Sequence, residues 1–424
     1  MHPEERANAV KCMLGDATYG IGMGLAAVMT VLPLLFKALG ASQIEIGLLF
    51  SVTAAGWVLA QPIGLFVIGR RPRNKRFLLN WGVFFWLPTF FGMGAAVYFL
   101  SDAHARLCRY ILLLALALWV VGDGMCVPLW NDWLSRLFSR DSRGRGMGMM
   151  AAAWAIGNGL AALAAGQVAW SIRFPLNYAA LFVAASALFA LGLVFYWTVR
   201  EPRELLTPYA PLGAKDLLAR FINSLRQTNF RNYLIGRVLL TVGGGATAFY
   251  AVRFQSVEGG GVAAGTVITL GVLLALPQGV ASYPLGRLGD RAGHKKGVVI
   301  GALAQAVAIA VALLGRGPIA CSLCFASLGV AFASGWVSHT NMLFETCPHD
   351  SRPAHITLSN VLLSPFVILA PIGTGWLMES AGQRAGIGMT LVPTALGVLW
   401  LILAVKEPRE TEARARDRGV SRST

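Results

Sequence analysis

The sequence is short of charge, and shortest of acid. Of its 424 residues 13% are charged, with 20 acidic against 36 basic side chains, where a soluble domain carries about a quarter. A chain with so few ionic groups and 56% hydrophobic residues cannot clothe a globule in side chains that water solvates. Its mean hydropathy of +0.60 points the same way, and the soluble class is excluded in favour of an integral membrane protein. Also missing are a Walker-type phosphate loop, an H-E-x-x-H pair and a polar domain to hold a nucleotide. ATP-driven and soluble catalytic classes therefore have no support. Cysteine is scarce and scattered, at Cys12, Cys108, Cys126, Cys321, Cys324 and Cys347. The one close pair, "CSLC", lies inside an apolar run with no His or acid beside it, which reads as small apolar packing. No metal and no cofactor is expected.

What is present is base in short clusters. The net charge of +16 would point to nucleic acid in a soluble protein, but here the bases lie between apolar runs and read as topology signals. No nucleic-acid partner is expected. Twelve runs are long enough for a spanning helix, which needs about 20 residues. They lie near 17–39, 44–69, 77–100, 110–133, 147–170 and 176–199, then 233–257, 265–288, 297–314, 319–343, 356–378 and 387–405. The first is longer than a signal-peptide core and lacks a small-residue cleavage site, so it reads as a spanning helix. The longest polar stretch, 200–232, separates the two sets. Its Leu217, Leu218, Phe221, Ile222 and Leu225 suggest a short interfacial helix. With the tails and even-numbered loops on one face, 29 of the 36 bases lie on that face and 7 on the other. Both termini are then expected in the cytoplasm.

The halves repeat one another. "VREPRE" at 199–204 returns as "VKEPRE" at 405–410, "DSR" at 141 returns at 350, and "LGD" at 14 matches "IGR" at 235. "QPIGLFVIGRRPRNKR" matches "YPLGRLGDRAGHKK" through Pro62 and Pro284. The expected organisation is a six-helix unit over 1–199, a linker over 200–232, a second unit over 233–406 and a basic tail over 407–424.

The stretch "GRLGDRAGHKK" resembles the loop signature of the major facilitator superfamily between its helices two and three, here in the second-half copy. Gly286, Asp290, Arg291, Gly293, Lys295 and Lys296 match it, with His294 at a basic or variable place. In the first half Gly64 is kept, but Ile68 stands where the acid belongs. The resemblance runs over nearly the whole chain and is nearest to a bacterial subgroup with "LGAS" (39–42), "IGLL" (46–49), and Trp133 followed by "RGR" (143–145). It implies an all-α membrane fold of twelve helices in two pseudo-symmetric bundles, acting as a secondary transporter in the bacterial inner membrane. The implied partners are a small solute, a proton or ion gradient and the lipid bilayer, with the protein a monomer. It also implies that Asp290 meets the start of the fifth helix, near Arg143 to Met147. A membrane-embedded enzyme or assembly factor on the same fold is the alternative, since fold does not fix function.

Polar groups inside the runs need a reason, because an ionisable group at mid-membrane costs about 2.5–3.5 kcal/mol on insertion scales. Asp123, between Gly122 and Gly124, is a candidate proton or cation site or else a hydrogen bond between helices. His339 and Asn341 lie across from Asn131 and Asp132 on the repeat-related helix and are candidates for a solute or proton path. Arg253 is placed to meet an anionic solute or lipid headgroups. Asp16 and Arg237 hold equivalent places with opposite charge, which suggests an ion pair between the halves or two chains snorkelling to water. Asn158 lies where the family's proton antiporters carry G-P-x-x-G-G, and the missing proline weighs against that subgroup.

Overall fold

The structure, a computed structural model, describes residues 3–64, 74–138, 140–201, 219, 222–223, 225–346 and 352–408. Every regular element among them is helical. In chain order these are α1 (Pro3–Leu25, resuming as Val31–Ala38), α2 (Gln43–Leu59, with Gln61–Ile63 following), α3 (Lys75–Leu100), α4 (Ala105–Leu137), α5 (Arg140–Ser171) and α6 (Leu176–Trp197). The second set is α7 (Thr228–Gln255), α8 (Ala264–Ala292), α9 (Lys295–Leu314), α10 (Gly317–Leu343), α11 (Arg352–Ala381) and α12 (Gln383–Leu403). Among the described residues ten of these, all but α1 and α2, are long and apolar enough to cross a membrane.

The expected first helix over 17–39 is not one helix. It starts at Pro3, with Glu4 and Glu5 favourably placed in its first turn, and it breaks at 26–30 before resuming at Val31. Pro33 lies in the first turn of the resumed segment, where a missing N–H costs no helical bond. The apolar run is continuous there, so composition hides the break. The expected interfacial helix at 217–225 lies largely outside the described residues.

The halves share a clasp at the basic end. Asn8 Nδ2 donates to Arg200 O at 2.8 Å and its Oδ1 accepts from Arg200 N at 3.0 Å. Asn229 repeats this with Lys406, at 3.0 and 2.7 Å. Lys75 Nζ donates to Trp197 O, the last carbonyl of α6, and to Val199 O just beyond it, and Lys295 Nζ donates to Ile402 O in α12. Each clasp supplies donors that the free C-terminal carbonyls of a helix need. The residue before each "EPR", Arg200 or Lys406, therefore ties the end of its half to the first helix, and Lys75 or Lys295 ties it to the third.

The α8–α9 turn explains the glycine of the loop motif. Gly293 has φ +78°, in the region that side chains avoid, and a Cβ there would collide with the Glu407 carboxylate. That carboxylate accepts from Lys295 N at 2.8 Å and so caps α9. Among the described residues a Cβ at Gly286 would meet only Val337, at 3.9 Å. The crowded glycine is Gly289, against the buried His294 ring.

The apolar core shows how the halves meet. At the end away from the basic loops one cluster runs through both halves, from Leu32, Phe36 and Leu49 to Phe249, Phe254 and Ile387. At the basic end it divides. Ala9, Cys12, Leu129, Trp133 and Tyr196 form a core within the first half, and Phe230, Tyr233, Met342 and Leu401 form a separate one within the second.

Candidate functional site in the cleft between the halves

The cleft follows from that divided core. At the closed end, glycines bring helices of opposite halves into backbone contact. A Cβ at Gly47 of α2 would lie 2.6 Å from Pro371 O of α11, and one at Gly375 of α11 2.6 Å from Gln43 O. Ser51 Oγ donates across the same seam to Ile368 O at 2.6 Å, and Ile44 N donates to Glu379 Oε1 at 3.0 Å. On the other flank Gly166 of α5 fits against Gly265 and Thr269 of α8, and Gly265 against Trp170. Small residues permit such approach where no water competes. Every contact between halves named here lies in this end, whereas the apolar clusters at the basic end each stay within one half.

Asp123 lies within the first half's wall of the cleft. A Cβ at Gly124 would stand 2.6 Å from Gly56 O, so α4 and α2 cross almost at backbone contact, while Gly122 receives the indole of Trp81. The crossing places Trp57 beside the acid. Trp57 Nε1 donates to Asp123 Oδ2 at 3.0 Å and Tyr19 OH to Oδ1 at 3.3 Å. Tyr19 is packed by Trp86 and Phe189, with centroids 5.4 and 5.2 Å away. Sequence reasoning singled out Asp123 but missed Tyr19 and Trp57, since it does not show which helices cross; the Gly56–Trp57 pair was the available sign.

Asp16 lies one turn before Tyr19 on α1. It accepts from the Tyr196 hydroxyl of α6, and Tyr196 stands edge-on to Trp130 and Trp133 of α4. The expected pairing with Arg237 is absent in this conformation: among the described residues Asp16 has no cationic partner within 4.0 Å. The Tyr196 hydroxyl takes the place expected of the cation.

In the second half Tyr233 OH donates to His339 O at 2.8 Å and lies 3.1 Å from its Nδ1. His339 closes a π-helical turn of α10, Gly335–His339, a distortion that often marks functional positions. Asn341 Nδ2 is spent within α10, on Val337 O at 2.7 Å. Arg253 is another correction. It is 0% exposed, at the closed end, and donates to Ala312 O at 3.1 Å and Glu258 Oε2 at 3.2 Å. It closes a free carbonyl in the last turn of α9, and its burial leaves no exposed surface for the solute or headgroup contact expected of it. Asp290, Arg291 and Lys296 are exposed at the basic end. The side chains of Asp132 and of 143–145 lie outside the described residues, so the pairing expected of Asp290 falls there.

A family model described as Major Facilitator Superfamily matches residues 17–278 and 260–423. The chain belongs to this superfamily. Among curated proteins it is 22% identical over 299 residues to YfkF of Bacillus subtilis (strain 168), described as an uncharacterized MFS-type transporter, covering 68% of this chain and 71% of that protein. Among solved structures it resembles the nucleoside transporter NupG in a substituted form, with a TM-score of 0.76, 12% identity and coverage of 95% and 100% of the two chains. A bacterial homologue of the human lysosomal transporter Spinster, inward-facing and unoccupied, gives 0.71, 16%, and 95% and 97%. A D-xylose–proton symporter gives 0.70, 17%, and 95% and 98%. At these identities the likeness shows the fold. Superfamily membership makes this a membrane transporter protein with an MFS fold.

Proposed function

We propose that this transporter is a secondary active carrier of a small solute, working by alternating access and driven by a proton gradient through Asp123. The observation that carries the reading is the apolar core, single at one end and divided at the other. Such a core fits two bodies that rock about a central site, here 1–199 and 233–406. On this reading the monomer lies in the bacterial inner membrane with the basic end and both termini in the cytoplasm, and the structure represents the inward-open state. The basic tail over 407–424 then lies in the cytoplasm. Asp123 is the coupling group because it is a carboxylate at the cleft whose partners are neutral donors. His339 and Asn341 line the solute path from the second half, and Asp132, on α4 with Asp123, belongs to the path from the first.

The test is transport in liposomes. Solutes that raise the thermal stability of the purified protein are offered under an imposed pH gradient, with wild type and Asp123→Asn compared at equal folded protein. Wild type accumulates its solute and Asp123→Asn does not. Accumulation by the substituted protein overturns coupling through Asp123, and a protein that moves none of the stabilising solutes overturns transport.

A further inference from the structure

We infer that Asp123, Trp57 and Tyr19 form the recognition site for an organic cation, which makes the solute of this carrier a quaternary or bulky protonated amine or its phosphonium counterpart. The inference rests on the reading of Asp123 as a cleft carboxylate and goes beyond it by naming the chemistry of the solute.

The first argument is charge. Both carboxylate oxygens of Asp123 accept from uncharged donors, the Trp57 indole at 3.0 Å and the Tyr19 hydroxyl at 3.3 Å. These bonds favour the ionised form without neutralising it. Among the described residues no Lys, Arg or His lies within 4.0 Å of Asp123, and none lies that near Asp16, the next acid on the same wall. A carboxylate held in an apolar bundle without a counter-charge is costly. The charge that would offset it must come from outside the described fold. A proton or a cationic solute supplies it, and the two then compete for the one acid, whereas a neutral or anionic solute supplies none.

The second argument is what surrounds the acid. A small inorganic cation needs several oxygen ligands, whereas the donor nearest Asp123 is an indole N–H, which a metal ion repels. Among the described residues no group of three His, Cys, Asp or Glu could hold a metal. The neighbours are aromatic: Trp57, 36% exposed, Tyr19, and behind it Trp86. Trp81 covers the Gly122 side of the acid, stacked on Phe85 with centroids 4.0 Å apart. Faces of Trp and Tyr attract a diffuse cation whose hydration shell is weak, and such a cation accepts no hydrogen bonds and needs none. One carboxylate set among rings therefore selects a soft, apolar-clad positive charge.

The third argument is access. Asp123 is partly exposed and Trp57 exposed, at the level where the core has divided. A cation entering from the basic end would reach Trp57 and the acid without crossing the closed seam formed by Ser51 and Ile368.

The experiment measures equilibrium binding to the full-length purified protein. The probes are radiolabelled tetraphenylphosphonium and tetraethylammonium, with triphenylphosphine oxide as neutral and tetraphenylborate as anionic comparator. At least one cation is expected to bind saturably, with neither comparator displacing it. Asp123→Asn should weaken binding by roughly a hundredfold or more, the loss of a desolvated charge pair. Trp57→Ala should weaken it roughly tenfold, with Trp57→Phe closer to wild type because a ring face remains. Asp16→Asn, melting at the wild-type temperature, serves as a charge control and should keep most of the affinity. Failure of both cations to bind wild type, equal binding of tetraphenylborate, or full affinity in a folded Asp123→Asn protein overturns the inference. If the protein accumulates a neutral or anionic solute under a pH gradient and ignores both cations, the cation class falls and the carrier reading stands.

Discussion

Arg253 and Asp123 are both charges inside apolar runs, and the same insertion cost applies to each. Only three-dimensional neighbours separate their roles. Arg253 is buried at the closed end with its guanidinium on Ala312 O and Glu258, while Asp123 is partly exposed at the cleft with neutral donors. The sequence around Arg253, "FYAVRFQSV", left cleft and lipid surface open, and the interior of the fold was a third place that local pattern does not mark. Arg253→Met should therefore lower stability and spare function. Leaving the buried Ala312 carbonyl without its donor costs about 1–3 kcal/mol. A lower melting temperature in detergent, with unchanged transport per folded molecule, is the expected result, and a changed solute affinity would place Arg253 in the path after all. Tyr19 makes the converse case. Nothing in "DATYGIG" distinguishes it from a packing tyrosine, because its partner is contributed by α4.

At the scale of helices and turns, the sequence was most legible where a backbone rule is strict. Gly293 is legible as a glycine of the loop motif, and its φ of +78° is the backbone reason for it. Its second role, leaving room for Glu407, needed the contact between a loop and a distant repeat motif. Gly293→Ala should cost about 1–3 kcal/mol for the backbone alone, and more through the displaced cap on α9. Calorimetry should show the loss, and Glu407→Gln should show a smaller one, since the amide still accepts from Lys295 N. The break in α1 at 26–30 was illegible because hydropathy is blind to hydrogen bonds. The closed seam was illegible too: Glu379 is an ordinary surface acid by sequence, yet it accepts from Ile44 N in the first turn of α2, in the opposite half. A negative charge at an exposed helix N-terminus contributes about 0.3–1 kcal/mol. Glu379→Gln should shift the balance away from the conformation seen here by about two- to fivefold. Labelling of single cysteines near the closed end would report that shift, and unchanged labelling would show that the seam is held by its glycines alone.

At the scale of the whole molecule, the repeat was the most informative feature of the sequence, because one duplicated pattern constrains twelve helices together. "VREPRE" and "VKEPRE" recur as matching clasps, Asn8 with Arg200 and Asn229 with Lys406. The matching end cores within each half follow the same symmetry. What the repeat could not convey is conformation, since one sequence serves every state of the cycle. The uneven base count gives a first whole-molecule expectation: a reporter that works only in the periplasm should be silent when fused at Thr424, and a strong signal would reverse the orientation. A second concerns Asp16 and Arg237, which are 221 residues apart, as are Asn8 and Asn229. They therefore occupy matching places on α1 and α7, with opposite charges. In the conformation described here Asp16 is held by Tyr196 and, among the described residues, has no cationic partner within 4.0 Å. Closing the basic end while opening the other brings matching positions of α1 and α7 toward the pseudo-symmetry axis together, so the acid can exchange its tyrosine for the guanidinium. The two Asp16 arrangements exclude one another, and each becomes a reporter of state. A Cys-free background carrying D16C and R237C should cross-link slowly at rest and faster once Gly166→Val wedges the α5–α8 seam apart. A cross-linking rate indifferent to that wedge would mean the two residues never meet, and would return Asp16 to a structural part in the first half.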